Sequence, residues 1–146
     1  MNSVAKLKVL LVEDEPADAH LVRMAFQEGR VLVDLDHVGD GVEAFAYLRG
    51  EAPFSEVKRP DIILLDLNMP RMDGRQFLQR IKSDEALKTI PVLVLTTSDA
   101  EQDLVSSYAQ CAAGYIVKPI EIDHFIQTVR GIGEYWISIV RLPGRN

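Results

Sequence analysis

Short apolar runs alternate along the chain with stretches in which apolar residues recur at helical spacing. Nearly continuous apolar runs are typical of strands buried on both faces of a parallel sheet. The pattern predicts strands over 8–12, 31–38, 61–66, 92–96 and 114–119, the second with the alternation of an edge strand. It predicts helices from Pro16 to near Gly29, from Asp40 to Gly50, over 74–83, from Asp99 to about Ala112, and from near Glu121 onward.

Strands that alternate with helices predict an α/β fold, in which helices cover both faces of a parallel sheet because each parallel crossover requires one. The chain has 146 residues, of which 47% are hydrophobic, and this is enough for one compact core. We expect a single domain over 1–146, with its core over 7–130 and an extended last helix and tail over 131–146.

Composition excludes several classes of function. The 16 basic and 22 acidic residues give a formal net charge of -6, which would repel a nucleic-acid backbone. The single cysteine, Cys111, cannot form an internal disulfide. No apolar run reaches the roughly 18 residues of a membrane span, and the N-terminal segment does not resemble a signal peptide. We therefore expect a cytoplasmic protein that binds neither nucleic acid nor membrane.

Charged and hydroxyl side chains gather where the predicted strands end. Glu13 and Asp14 follow the first strand, Asp66 ends the third, Thr96 ends the fourth and Lys118 lies at the end of the fifth. The carboxyl ends of parallel strands meet at one edge of the sheet, where ligands of such folds bind. Carboxylates brought together repel one another unless a cation lies among them, and Mg²⁺ suits a site of carboxylates and phosphate oxygens.

This arrangement predicts phosphoryl chemistry. Asp66 can act as a nucleophile on a phosphoryl group, as aspartates do in enzymes that form an aspartyl phosphate. Lys118 and the metal would neutralise the transferring oxygens, and the Thr96 hydroxyl can donate a hydrogen bond to the bound phosphoryl. Asp14 could also cap the first helix. His20, His37 and His124 are scattered, and we expect roles on the surface or on a helix face for them.

The segments VLLVEDE, LLDLNMPRMDG, VLVLTTS and GYIVKP resemble, in this order and spacing, the response regulator receiver domains of two-component signalling. The resemblance runs from Leu7 to the last helix. It implies a flavodoxin-like (βα)5 doubly wound sheet with strand order 2-1-3-4-5. It also implies a phosphoacceptor that is not an enzyme beyond its own phosphorylation and dephosphorylation, and that takes its phosphoryl group from a sensor histidine kinase.

Carried over position by position, the resemblance implies which residues bind the metal and the phosphoryl group. The Mg²⁺ ligands would be Glu13, Asp14, Asp66 and the backbone carbonyl of Asn68. Asp66 would accept the phosphoryl group and Lys118 would bind to it.

The resemblance also implies switch and turn residues. Thr96 and Tyr115 would be the switch pair. A cis peptide would precede Pro119, since only bonds before proline adopt cis at low cost. Gly74 suits the tight turn into the third helix.

The last predicted helix continues beyond the length of its sheet. Its apolar residues recur at helical spacing as far as Val140, and five residues are predicted to form a dimer or partner surface: Phe125, Trp136, Ile137, Val140 and Leu142. The alternative is a helix that curls back over its own domain, with a bend at Gly131 and Gly133. The tail GIGEYWISIVRLP is similar to the cyanobacterial phytochrome response regulators, which implies a homodimer through the last-helix face and a phytochrome-type kinase partner.

Three other functions are left open by the residues. One is a phosphorylation-independent receiver-like module that only binds partners. Another is a small-molecule phosphatase of the aspartyl-phosphate type, although short loops leave little room for a substrate pocket. The third is a flavin-binding flavodoxin, although the acids of EDEPAD would repel the phosphate of the flavin.

Overall fold

A computed structural model of the chain describes residues 7–30, 32–52, 59–66, 74–96, 114–117 and 121–128. Its strands are β1 (Leu7–Val12), β2 (Val33–Val38), β3 (Ile62–Asp66), β4 (Val92–Thr96) and β5 (Gly114–Val117). Its helices are α1 (Pro16–Glu28), α2 (Gly41–Leu48) and α3 (Gly74–Lys82). Residues 122–128 are also helical and are called the 122–128 helix below.

The strands form one parallel sheet in the order β2-β1-β3-β4-β5. This is the predicted flavodoxin-like order, with β1 beside both β2 and β3. In the register, Val12 lies opposite Val38 on one side and opposite Leu65 on the other. The carboxyl ends of β1, β2 and β3 therefore meet at one edge of the sheet.

Each face of the sheet carries its own core, because successive strand residues point to opposite faces. On one face, strand residues such as Leu10, Val12 and Ile63 pack with side chains of α2 and α3. On the other, Val9 and Leu11 belong to a cluster with residues of α1 and the 122–128 helix. Every residue of β3 is buried, as expected of a strand covered on both faces.

Helix α2 begins and ends as the sequence predicts. Asp40 is its N-cap, and the Asp40 carboxylate accepts a hydrogen bond from the Glu43 backbone N–H at 2.9 Å. The Glu43 carboxylate in turn accepts from the Gly39 backbone N–H at 2.6 Å. After the helix, Gly50 has a φ of 69°, a left-handed conformation that glycine adopts without strain.

Strand β2 begins at Val33, later than the predicted start at 31. The chain reverses direction after α1 through Gly29 and Arg30, and Arg30 has a φ of 57°. It joins the sheet at Leu32, whose carbonyl accepts a hydrogen bond from the Leu7 N–H at 3.0 Å.

Phe125 corrects one sequence prediction. It was predicted to belong to a partner surface, but its exposed fraction is 0%. Its ring makes an edge-to-face contact with the Phe26 ring of α1, with the ring centroids 5.3 Å apart. Helical periodicity identifies the apolar face of this helix but not what covers it, and near Phe125 that face packs on the chain's own core.

Two predicted features lie outside the described residues: the fourth helix, and the tail with Trp136, Ile137, Val140 and Leu142. Within the described part of the chain, no helix is both long enough and apolar enough to cross a membrane.

Candidate functional site

The sheet register places two of the predicted acids side by side. Val12 and Leu65 are partners across β1 and β3, so the next residues along the two strands, Glu13 and Asp66, are neighbours at the carboxyl edge. Asp14 follows Glu13 directly. The edge therefore gathers acids that are separated by about 50 positions in sequence.

Glu13, Asp14 and Asp66 form one acidic cluster. Each residue offers a carboxylate oxygen, and these oxygens all lie within 4.8 Å of one another. The exposed fractions of Glu13 and Asp66 are 0% and 4%, whereas Asp14 is exposed. Two acids of the cluster are therefore buried, and the third is open to solvent.

Glu13 is held by hydrogen bonds to both its backbone and its side chain. Its N–H donates to the Val38 carbonyl at 3.0 Å, and its carboxylate accepts from the Glu15 N–H at 3.3 Å. Its carbonyl oxygen lies 2.6 Å from Nε2 of His37. The sequence analysis did not predict this last contact, because nothing in the spacing of His37 indicates that it reaches the neighbouring strand.

Asp14 does not cap helix α1, which excludes the structural role that the sequence left open for it. The helix begins at Pro16, its N-cap is Glu15, and the Glu15 side chain makes no capping hydrogen bond. Pro16 lacks an N–H and suits this first helical position. Asp14 thus lies in the connection between β1 and α1, beside the other acids.

The remaining predicted site residues are described only in part. Thr96 ends β4 and is the register partner of Val117, and Tyr115 lies within β5, but the side chains of Thr96 and Tyr115 are outside what the structure describes. Gly74 is the first residue of α3. Asn68, Lys118 and Pro119 lie outside the described residues.

The cluster fits a divalent cation. Three carboxylates at this separation repel one another, and burial of two of them strengthens the repulsion because less water screens it. A hard cation with oxygen ligands removes the repulsion, and Mg²⁺ or Mn²⁺ binds to such groups while it keeps several waters. Asp14 is exposed to solvent, from which a bound cation could take its waters.

Comparison with known proteins identifies similar chains. A family model described as "Response regulator receiver domain" matches residues 9–130. Response regulator Rcp1 of Synechocystis sp. is 39% identical over 135 residues, which cover 92% of each chain.

Two solved structures are similar over nearly the whole chain. The phosphorylated cyanobacterial phytochrome response regulator RcpA is 46% identical and has a TM-score of 0.77, and the match covers 96% of this chain and 100% of RcpA. The Mn²⁺-bound form of Rcp1 is 38% identical and has a TM-score of 0.74, with 94% and 99% of the two chains covered.

Proposed function

Because this chain belongs to the response regulator receiver domain family, we propose that it is a response regulator that accepts a phosphoryl group on Asp66 from a sensor histidine kinase. The observation that carries the proposal is the acidic cluster, in which Asp66 lies with Glu13 and Asp14 at the carboxyl edge of the sheet. Asp66 is 4% exposed, and we infer that a phosphodonor reaches it from the side on which Asp14 is exposed.

The proposed reaction is a direct transfer between two side chains. A carboxylate oxygen of Asp66 attacks the phosphorus of a phosphohistidine, the new O–P bond forms, and the P–N bond to the imidazole breaks. The electron pair of that bond returns to the departing imidazole nitrogen, which takes a proton from solvent. The product is an aspartyl phosphate, and its hydrolysis by water returns the carboxylate.

Mg²⁺ is the proposed cofactor. Glu13, Asp14, Asp66 and the backbone carbonyl of Asn68 would hold it, and when bound it neutralises charge on the transferring phosphoryl oxygens. Support comes from the cluster itself and from the Mn²⁺-bound form of a relative that is 38% identical. Glu13 and Asp14 would act as ligands, and Asp66 would be both ligand and acceptor.

Roles are also proposed for the residues around the acceptor. Lys118 follows β5 and would bind the phosphoryl oxygens, and the Thr96 hydroxyl at the end of β4 would donate to them. Tyr115 would form the switch with Thr96. A cis bond before Pro119 and the turn at Gly74 would shape the same edge.

We propose a phytochrome-type histidine kinase as the partner, because similar chains are named phytochrome response regulators. The output would be a protein contact, and the proposed surface consists of Trp136, Ile137, Val140 and Leu142 in a homodimer. Phe125 is not part of this proposal, since it is buried in the core.

Phosphorylation is tested by intact-mass analysis after incubation with acetyl phosphate and Mg²⁺. Wild type should gain the mass of one phosphoryl group, and the gain should disappear with a chelator or in Asp66→Asn. Asp123→Asn changes an exposed acid outside the cluster and should be labelled like wild type. Labelling of Asp66→Asn at the wild-type level would contradict the proposal. An unlabelled wild type that also fails to bind beryllofluoride would instead favour a module that works without phosphorylation.

A further inference from the structure

The imidazole of His37 contacts the acidic cluster from the neighbouring strand. Its Nε2 atom lies 2.6 Å from the carbonyl oxygen of Glu13. A carbonyl oxygen only accepts hydrogen bonds, so the contact requires the proton on Nε2, which then donates. The distance is short for an N–H···O hydrogen bond, and the ring itself is exposed to solvent.

This hydrogen bond lies where the ladder between β1 and β2 ends. The Glu13 N–H donates to the Val38 carbonyl, and β2 ends at Val38. Asp40 is the N-cap of α2, so the chain leaves the sheet between these two residues. The His37 side chain supplies a donor at the point where the strand turns away.

The carbonyl that His37 binds belongs to the peptide group that joins Glu13 to Asp14. A peptide group is planar, so a hydrogen bond to its oxygen restricts rotation about the backbone bonds on both sides. The two carboxylates extend from the two residues that this plane connects. His37 thereby restrains how Glu13 and Asp14 are placed relative to one another.

We propose that His37 is a positioning residue for the divalent-cation site. It acts through the Glu13 carbonyl and keeps the Glu13–Asp14 pair in the geometry that binds the cation. The inference rests on the proposed function, because it requires that Glu13, Asp14 and Asp66 hold the metal. It goes beyond that function by assigning a role to a residue that is neither a ligand nor a phosphoryl contact.

The expected effect is moderate, since water can reach the exposed position and replace part of the lost hydrogen bond. Loss of one neutral hydrogen bond of this kind corresponds to a change of about three- to tenfold in an equilibrium constant. We therefore expect the dissociation constant for Mn²⁺ to rise about three- to tenfold in His37→Ala and in His37→Leu. His37→Gln keeps an N–H donor and should stay within about twofold of wild type.

The test titrates the purified chain with Mn²⁺, follows the free ion by electron paramagnetic resonance, and adds Mg²⁺ as a competitor. His124→Ala removes another exposed histidine and is the matched control, with the affinity of wild type expected. The thermal midpoint of each variant is measured in chelator. If His37 only stabilised the fold, His37→Ala and His37→Leu would lower the thermal midpoint and leave the Mn²⁺ affinity unchanged. That result would overturn the proposal.

A kinetic measurement separates metal affinity from chemistry. In His37→Leu, the Mg²⁺ concentration that gives half the maximal rate of labelling by acetyl phosphate should be higher than in wild type. The maximal rate at saturating Mg²⁺ should match wild type. Equal Mn²⁺ affinity in wild type, His37→Ala and His37→Leu would overturn the role of His37 alone. Mn²⁺ binding that persists unchanged in Asp66→Asn and Glu13→Gln would instead show that the proposed metal site is wrong, and this inference with it.

Discussion

Glu13 and Asp66 are buried acids, with exposed fractions of 0% and 4%. The two acids also lie within 4.8 Å of each other and of Asp14. Like charges this close repel one another, and burial strengthens the repulsion because less water screens it. We infer that this repulsion lowers the stability of the metal-free fold, as is common at functional sites.

Glu13→Gln tests, at a single residue, whether the acids lower the stability of the metal-free fold and bind the cation. The change removes one negative charge and keeps the side-chain oxygen that accepts from the Glu15 N–H. Without metal we expect the free energy of unfolding to rise by about 1 kcal/mol, because the repulsion is reduced. Addition of Mg²⁺ should stabilise the variant less than wild type.

The measurement is urea unfolding in chelator and in saturating Mg²⁺. Glu51→Gln neutralises an exposed acid outside the cluster and should behave like wild type in both conditions. A Glu13→Gln protein that is less stable in chelator and gains as much from Mg²⁺ as wild type would contradict the account.

A second group of titratable residues joins β1, β2 and α2. The Lys8 ammonium lies 2.8 Å from an Asp36 carboxylate oxygen, and the Tyr47 hydroxyl donates to the same oxygen at 2.6 Å. Burial by itself lowers the pKa of Lys8, but its interactions with Asp36, Tyr47 and Asp34 together outweigh burial and raise the pKa. Burial, together with the hydrogen bond to Asp36, raises the pKa of Tyr47 to about 12.

These shifts predict a loss of stability at alkaline pH. In the unfolded chain tyrosine and lysine titrate near pH 10, so above that pH the folded state holds more protons than the unfolded state. The free energy of unfolding should therefore fall between about pH 10 and 12, by up to about 1.4 kcal/mol per pH unit for each such group. Urea unfolding of Tyr47→Phe over this range should show a shallower fall than wild type. A fall of equal slope would contradict the assignment to Tyr47.

At the scale of elements, the C-cap glycine of α1 lies against the 122–128 helix. A Cβ atom at Gly29 would lie 2.5 Å from Cδ1 of Ile126 and 2.6 Å from its Cγ1. The φ of Gly29 is -78°, which any residue adopts. Glycine is required here because a side chain would not fit, and not because of the backbone conformation. Nearby, Phe26 and Phe125 pack ring to ring across the same two helices.

Gly29→Ala should therefore destabilise the fold. The added methyl group meets the branched part of the Ile126 side chain, and the helices must move apart or Ile126 must change rotamer. We expect a loss of about 1–3 kcal/mol in the free energy of unfolding, measured with urea. Gly29→Ala combined with Ile126→Ala should lose less than the sum of the two single changes. Additive losses would show that the methyl group does not act through Ile126.

At the scale of the whole molecule, the strands and the acids at their carboxyl ends could be predicted because apolar runs specify buried strands. The order of the five strands and the convergence of Glu13, Asp14 and Asp66 agree with the sequence analysis. Tertiary contacts could not be predicted in the same way. Periodicity does not tell whether Phe125 faces a partner or the chain's own core, and it does not show that His37 reaches the Glu13 carbonyl.

The proposed homodimer can be tested with a charged substitution in the tail. Ile137→Asp places a charge in the proposed dimer surface, where burial of a carboxylate would oppose association. Leu32→Asp makes the same change at a side chain that is 51% exposed and lies directly before β2. By size exclusion with light scattering, we expect wild type and Leu32→Asp to be dimers and Ile137→Asp to be a monomer. A monomeric wild type with and without phosphorylation would contradict the proposed dimer.

The central claim is that Asp66 itself carries the phosphoryl group, and one measurement tests it most directly. The chain is phosphorylated with acetyl phosphate and Mg²⁺, reduced with borohydride, digested, and mapped by tandem mass spectrometry. Borohydride converts an aspartyl phosphate to homoserine and leaves a free aspartate unchanged. We predict homoserine at position 66, dependent on Mg²⁺. Homoserine at another aspartate, with Asp66 unmodified, would contradict the account.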